Sequence, residues 1–362
     1  MKNNAAKYDK AMAAAEKKDG ELKFIPFDTP PIRLSGFPLA PFGDKLRRLP
    51  DDQRLSDAVR VLSCNTSGGR LDFRSDTRHL QIRVKLRNAS HMDHMPDVGS
   101  CGFDLYMGEP GKSVMIGTSR AKNGSDAYTS QLHARELPGQ FENYTINLPL
   151  YSGIESLEIG LDPEASLLPP APWRDEQPMV FYGTSITQGG CASRPGMSYS
   201  NILGRRFNMP SLNFGFSGNG KGEPEVAGYL AQIKNPALYL LDYEPNAHPE
   251  GIKNTLPDFL NILRSKHPET PIFVISSLRF NQEITITGSP DIQADILAES
   301  AKFQRKEINR RRRNGDKNIY FIDGSKIAGK DWHEFSVDGC HQTDLGFYMI
   351  ANKLEKIFKK VL

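Results

Sequence analysis

Four cysteines in 362 residues, Cys64, Cys101, Cys191 and Cys340, are too sparse for a disulfide scaffold and lack metal-ligand spacing. They are expected as free thiols. No apolar run approaches the roughly eighteen residues of a membrane-spanning helix. Residues 1–18 are rich in Lys and Ala and lack the apolar core of a signal peptide. On the chain as given, that leaves a cytoplasmic location, or export with a leader since removed. A strong charge of either sign is also missing: 46 Lys and Arg against 43 Asp and Glu leave a net charge of +3. Nucleic acid needs a concentrated basic face. The one dense run, Arg310–Arg313, falls at the end of an expected helix, where cations complement the macrodipole. Membrane and nucleic-acid partners are therefore not expected.

What is present changes character along the chain. Residues 4–18 read as a polar, peripheral helix within an extension at 1–24. Residues 25–172 read as short strands. Leu80, Ile82, Val84 and Leu86 alternate with polar residues, as do Tyr144, Ile146, Leu148 and Leu150, and Leu157, Ile159 and Leu161. Turn signals at Ser67-Gly68-Gly69, Gly108–Gly111 and Asn123-Gly124 punctuate them. The pattern predicts an all-β, jelly-roll-like sandwich. A Pro-rich connector, Leu167–Pro172, is the expected boundary.

From 173 to 362 the period is that of an α/β domain. Candidate strands at Met179–Tyr182, Ser211–Phe214, Ala237–Tyr243, Pro271–Ser277 and Asn318–Asp323 alternate with helices. The helices are expected at Tyr199–Phe207, Pro224–Ile233, Ile252–Ser265, Asp291–Arg312 and Asp344–Leu362. Such alternation predicts a five-stranded parallel sheet covered on both faces. Ligands then bind beyond the carboxyl ends of the strands.

Four of the expected loops carry candidate chemistry. After the first strand comes Gly183-Thr184-Ser185-Ile186-Thr187. Thr187 excludes the Gly-x-Ser-x-Gly elbow of the α/β-hydrolases. Taken alone, Ser185 reads more readily as a helix cap than as a nucleophile. After the second strand, Gly215, Gly218 and Gly220 expose backbone N–H groups that can face an oxyanion. After the third, Asn246 offers a neutral donor, a task for which Asp242 and Glu244 carry the wrong charge. Asp338-Gly339-Cys340-His341 then precedes the last helix, a spacing that lets the carboxylate fix the imidazole tautomer. Each feature alone is usually structural. Their joint placement at strand ends, where the fold would collect them, is what points to acyl chemistry.

The set Gly183-Thr184-Ser185-Ile186-Thr187, Gly218, Asn246 and Asp338-x-x-His341 resembles the four blocks of the SGNH (GDSL-like) hydrolases. Thr184 stands where the family usually has Asp, and Glu244-Pro245-Asn246-Ala247 replaces its Gly-x-Asn-Asp. Gly102-Phe103-Asp104-Leu105-Tyr106 resembles the Gly-x-Asp-Leu-Tyr motif of a β-rich module found before some SGNH domains. Cys191-Ala192-Ser193-Arg194-Pro195-Gly196 is similar to the stretch after the serine in that subgroup. The resemblance implies a flavodoxin-like three-layer domain with Ser185 as nucleophile. His341 is then the base, backed by Asp338. It further implies an oxyanion hole from the N–H groups of Ser185 and Gly218 and the amide of Asn246, with no cofactor or metal.

Arg194, Arg279 and His248 are candidates to contact substrate, although for Arg194, and similarly for Arg279, bracing a loop is the slightly favoured role. His91-Met92-Asp93-His94 has two histidines without a third ligand and reads as a solvated turn, one that borders the site if the β domain covers the strand ends. Cys340 is not expected to replace Ser185. The expected function is a serine-dependent carboxylester hydrolase, and the resemblance implies that it removes a small acyl group from a carbohydrate or similar substrate. An acyltransferase with the same triad and a catalytically lapsed carbohydrate-binding protein are the rivals, and the oligomeric state is left open.

Overall fold

The structure is a computed structural model that describes residues 22–40, 44, 46–119, 125–135 and 139–362. The helix expected at 4–18 and the turn at Asn123-Gly124 lie outside these residues.

The first half builds two antiparallel sheets. One has the order β1 (Lys23–Pro26), β9 (Ile154–Leu161), β4 (His79–Leu86), β7 (Ala127–Ala134). The other runs β10 (Leu167–Leu168), β3 (Arg70–Ser75), β8 (Glu142–Asn147), β5 (Asp104–Met107), β6 (Val114–Thr118), with β2 (Arg33–Ser35) also paired to β3. The alternating residues of the sequence meet between the sheets. Leu80, Ile82, Val84 and Leu86 share a core with Leu71, Phe73, Tyr144 and Ile146. The Pro-rich connector is not wholly irregular, because Leu167 and Leu168 pair with Ser75 and Arg74 before the prolines begin.

The second half is a five-stranded parallel sheet in the order β12 (Ser211–Gly215), β11 (Met179–Gly183), β13 (Leu238–Asp242), β14 (Ile272–Ile275), β15 (Ile319–Ile322). The order 2-1-3-4-5 is flavodoxin-like, and its crevice opens where β11 and β13 part. Helices α4 (Tyr199–Phe207) and α9 (Asp344–Phe358) bury Ile202, Leu203, Phe347, Ile350 and Leu354 on one face. The other face is covered by α5 (Pro224–Leu230), α6 (Glu244–Lys266) and α8 (Asp295–Arg313). A short helix, α7 (Gln282–Thr287), precedes α8. Its Ile284-Thr285-Ile286-Thr287 run of β-branched residues conceals it from propensity reasoning.

A segment of the first half joins the second core. Helix α1 (Asp57–Leu62) sends Val59 into the cluster around β11 to β13, with Leu49 and Leu55 beside it. Arg48 is fully buried there. Its Nη1 donates to the carbonyls of Asn213 (3.1 Å) and Gly215 (2.7 Å), and its Nη2 to that of Leu62 (2.7 Å). Burial takes its pKa down to about 9. The three carbonyls supply the polar partners that an isolated buried guanidinium requires, and they fasten α1 to the end of β12.

Candidate active site

The turn after β11 decides the status of Ser185. Thr184, not Ser185, is the helix cap: its Oγ1 accepts from the Ile186 N–H at 3.2 Å. Ser185 is therefore the first residue of α3 (Ser185–Gln188), and its hydroxyl is available for other contacts. Ser185 Oγ lies 2.9 Å from His341 Nε2. His341 Nδ1 lies 2.6 Å from Asp338 Oδ2. Asp338 Oδ1 accepts from the backbone N–H groups of Cys340 (2.9 Å) and His341 (2.7 Å). Partial burial raises the Asp338 pKa, but the hydrogen bonds from the His341 side chain and these N–H groups outweigh it, leaving the pKa below the ordinary value.

The backbone donors come from two turns. Gly218 is exposed at φ +63, a conformation that glycine adopts without strain. Among the described residues its N–H has no hydrogen-bond acceptor, and the Ser185 N–H is the open first donor of a helix. Tyr243 caps α6, so Asn246 sits in that helix's first turn. Its Nδ2 donates to the carbonyls of Phe216 (3.2 Å) and Asn219. These carbonyls flank Gly218, and among the described residues no hydrogen bond joins Asn246 to Ser185.

Beneath the turn lies a polar group that sequence reasoning dismissed. Asp242, at the end of β13, is buried and accepts at Oδ2 from Thr187 Oγ1 (3.1 Å) and Tyr199 OH (3.0 Å). Burial pushes its pKa up to about 7, against the pull of the two hydroxyl donors; Glu244 adds to the rise. Thr187 belongs to α3, so this network props the helix that starts at Ser185. The signal available in the sequence was an acid at the end of an otherwise apolar strand, Leu238–Asp242.

The β sandwich completes the surroundings. Tyr151 OH donates to the Ser185 carbonyl at 3.4 Å. Gln188 Nε2 donates to the Leu150 carbonyl (3.0 Å), while its Oε1 accepts from the Ser217 N–H (3.0 Å). Gly99, in α2 (Asp97–Ser100), is docked so closely that a Cβ there would sit 2.1 Å from the Ala192 carbonyl oxygen. That docking carries the His91–His94 turn to the site. The His94 and His341 rings meet edge to face at 5.8 Å, and His94 Nε2 lies 3.7 Å from Asp338 Oδ2.

The two motifs read separately in the sequence touch each other. Asp104, fully buried, accepts from Arg194 Nη1 (2.7 Å), the Gly196 N–H (2.8 Å) and Asn147 Nδ2 (2.7 Å). Arg194 Nη1 also donates to Tyr106 OH at 2.7 Å. Arg194 is thus a brace between the halves, the role that its place in the sequence slightly favours. Arg279 is held in the same way: its Nε donates to Glu283 (2.9 Å) and its Nη2 to the Ile292 carbonyl (2.6 Å), and Trp332 covers it at 4.4 Å. His248 is exposed at φ +57 where α6 kinks, because Pro249 excludes its predecessor from the helical region. It makes no hydrogen bond among the described residues.

A family model for the GDSL-like Lipase/Acylhydrolase family matches residues 176–359. A second, the "N-terminus of Esterase_SGNH_hydro-type", matches residues 22–167. The fold is similar to that of a GDSL-like lipase from Bacteroides ovatus, at 29% identity and a TM-score of 0.83 over 94% of this chain and 98% of that one. It is also similar to a salicylyl-acyltransferase from a tetracycline biosynthetic pathway, at 19% and 0.74 over 95% and 98%. An acetyl xylan esterase from the rumen bacterium Butyrivibrio proteoclasticus follows at 12% and 0.56 over 94% and 98%. At such identities the last two share the fold alone. No curated protein matches. With both halves matched in order, the chain is an SGNH-type esterase and belongs to the GDSL-like lipase/acylhydrolase family.

Proposed function

We propose that Ser185, His341 and Asp338 form the catalytic triad of a carboxylester hydrolase that removes a small acyl group from a carbohydrate or similar alcohol. The observation that carries this reading is the unbroken chain Ser185 Oγ–His341 Nε2 (2.9 Å) and His341 Nδ1–Asp338 Oδ2 (2.6 Å). His341 takes the proton as Ser185 Oγ attacks the ester carbonyl. The electron pair moves to the carbonyl oxygen, which meets the N–H groups of Ser185 and Gly218. Asn246 lies beside that position, its amide resting on the carbonyls that flank Gly218. It serves as the third donor when a carbonyl oxygen competes for it. Collapse of the intermediate returns the proton from His341 to the departing alcohol, and water, deprotonated by His341, hydrolyses the acyl-enzyme.

The carbohydrate is suggested by the similar acetyl xylan esterase and by a family two carbohydrate esterase solved with cellohexaose. A lapsed binding protein fits poorly, since all three triad residues are present and hydrogen-bonded. A fluorophosphonate probe tests the nucleophile: wild-type protein is labelled, and Ser185→Ala is not. Equal labelling of both proteins would remove Ser185 from its role. Product analysis on acetylated oligosaccharides, with and without an alcohol acceptor, then separates hydrolysis from acyl transfer.

A further inference from the structure

The Cys191 thiol is buried, with 7% of the residue exposed, and makes no hydrogen bond among the described residues. Cys101 differs, since its Sγ donates to the Ser90 carbonyl at 3.0 Å, and Cys64 Sγ accepts from Arg47. Cys191 also holds φ +72, a region that non-glycine residues seldom occupy. What surrounds its sulfur is unusual. One nitrogen of His94, one of His341 and the Cys191 Sγ all lie within 4.8 Å of one another.

We propose that His94, Cys191 and His341 form an inhibitory site for a divalent cation of the Zn²⁺ type, which switches the esterase off by capturing its base. Two imidazoles and a thiolate suit zinc, whereas Mg²⁺ and Ca²⁺ prefer oxygen ligands. Three protein ligands leave a fourth position for water. Zinc–ligand bonds of about 2.0–2.3 Å set tetrahedral edges at roughly 3.3–3.8 Å. Closing from 4.8 Å is therefore a shift of about an ångström, available to His94 on its half-exposed turn. Asp93 Oδ1 lies 3.1 Å from His94 Nδ1 and Asp338 Oδ2 lies 2.6 Å from His341 Nδ1. With Nε2 as the ligand atom, each imidazole has on Nδ1 an outer carboxylate of the kind that orients metal-binding histidines. The ligands come from three segments, so the site exists only while the β sandwich is docked.

The inhibition rests on His341 being the base. Nε2 bound to metal cannot accept the Ser185 proton, and Nδ1 bound to metal would displace Asp338. Binding itself rests on neither, so the two readings fail separately. The test adds CoCl₂ to the full chain and records absorption, then measures ester hydrolysis against ZnCl₂ with reversal by a chelator. The expected result is a thiolate-to-cobalt charge-transfer band with the visible bands of a tetrahedral site. That band is lost in Cys191→Ser and kept in Cys101→Ser and Cys340→Ser. His94→Ala, on a half-exposed turn that does not endanger folding, should weaken both cobalt binding and zinc inhibition at least about 10–100-fold, the scale already seen for outer-shell losses. Inhibition is compared with each variant's own metal-free rate. No charge-transfer band in the wild type overturns the site. So does zinc inhibition that is equal in wild type, His94→Ala and Cys191→Ser.

Discussion

Ser185 and His341 meet at 2.9 Å, yet the chain holds them by different means. The serine side is buried on every residue from Phe181 to Gly190, capped by Thr184, propped by Thr187 on Asp242, and tied through Tyr151 and Gln188 to the sandwich. The His341 side is a half-exposed loop whose order is largely local, with one backbone bond from the Asn281 N–H to the Gly339 carbonyl (2.9 Å) tying it to the rest of the domain. Asp338 binds the His341 side chain and backbone three residues later, and its side chain remains 32% exposed. Ser185 is therefore positioned by the global fold and His341 by a short motif. Substitutions on the serine side should register first in stability, and those on the base side in rate. The first is costly to change because buried polar networks leave orphans behind. The second is cheap in stability because water replaces what is lost.

The sharpest break in this comparison is Asp338→Asn, which removes the charge and the tautomer control but leaves the backbone in place. kcat should fall by about 10⁴-fold, with unfolding free energy changed by less than about 1 kcal/mol. Steady-state kinetics and urea denaturation on one preparation check both. On the serine side, Arg194→Ala leaves Asp104 buried without its cation and should cost about 3–5 kcal/mol. The urea midpoint reports that loss, while kcat of the folded fraction falls far less than in Asp338→Asn. A large kcat loss with unchanged stability would reverse the roles of the two sides. Asn246→Ala sits between them. As an oxyanion donor it should lower kcat by about 10²–10³ with KM little changed, and an unchanged kcat would restrict it to bracing the Gly218 turn.

The same division governs what was legible beforehand. Strand and helix periods in residues 25–172 and 173–362 carried the fold class, because alternation and 3.6-residue spacing are direct images of burial. The Asp338-x-x-His341 spacing carried the base side for the same reason: its geometry is contained in four residues. The serine side was harder to read. Whether Ser185 or Thr184 caps α3 depends on one hydrogen bond, and Asp242, Tyr199 and Tyr151 reach the turn only through tertiary packing. Arg194 was visible as a residue near Ser185, but its partner Asp104 is 90 positions away. His94 reads as a solvated turn that borders the site only if the β domain covers the strand ends, because the loop that accepts it, around Ala192, belongs to the other half.

Asp242 offers the finest test of the contrast, since its effect depends on pH. Its pKa, raised to about 7 by burial, compares with an ordinary 3.8. Between those values the folded state binds more protons than the unfolded state, so this group lowers stability as pH rises. The slope is at most about 1.4 kcal/mol per pH unit. Asp242→Asn keeps an oxygen to accept from Thr187 and Tyr199 but cannot ionise. Its stability relative to wild type should therefore improve as pH rises from about 4 to about 7 and level off above. Thermal denaturation across that range reads the slope directly. Parallel curves for the two proteins would mean that Asp242 titrates like an exposed acid and that water reaches the network under α3. Because the substitution leaves Ser185, His341 and Asp338 in place, kcat of the folded enzyme should change by only a few-fold, which separates support of the turn from a part in the proton relay.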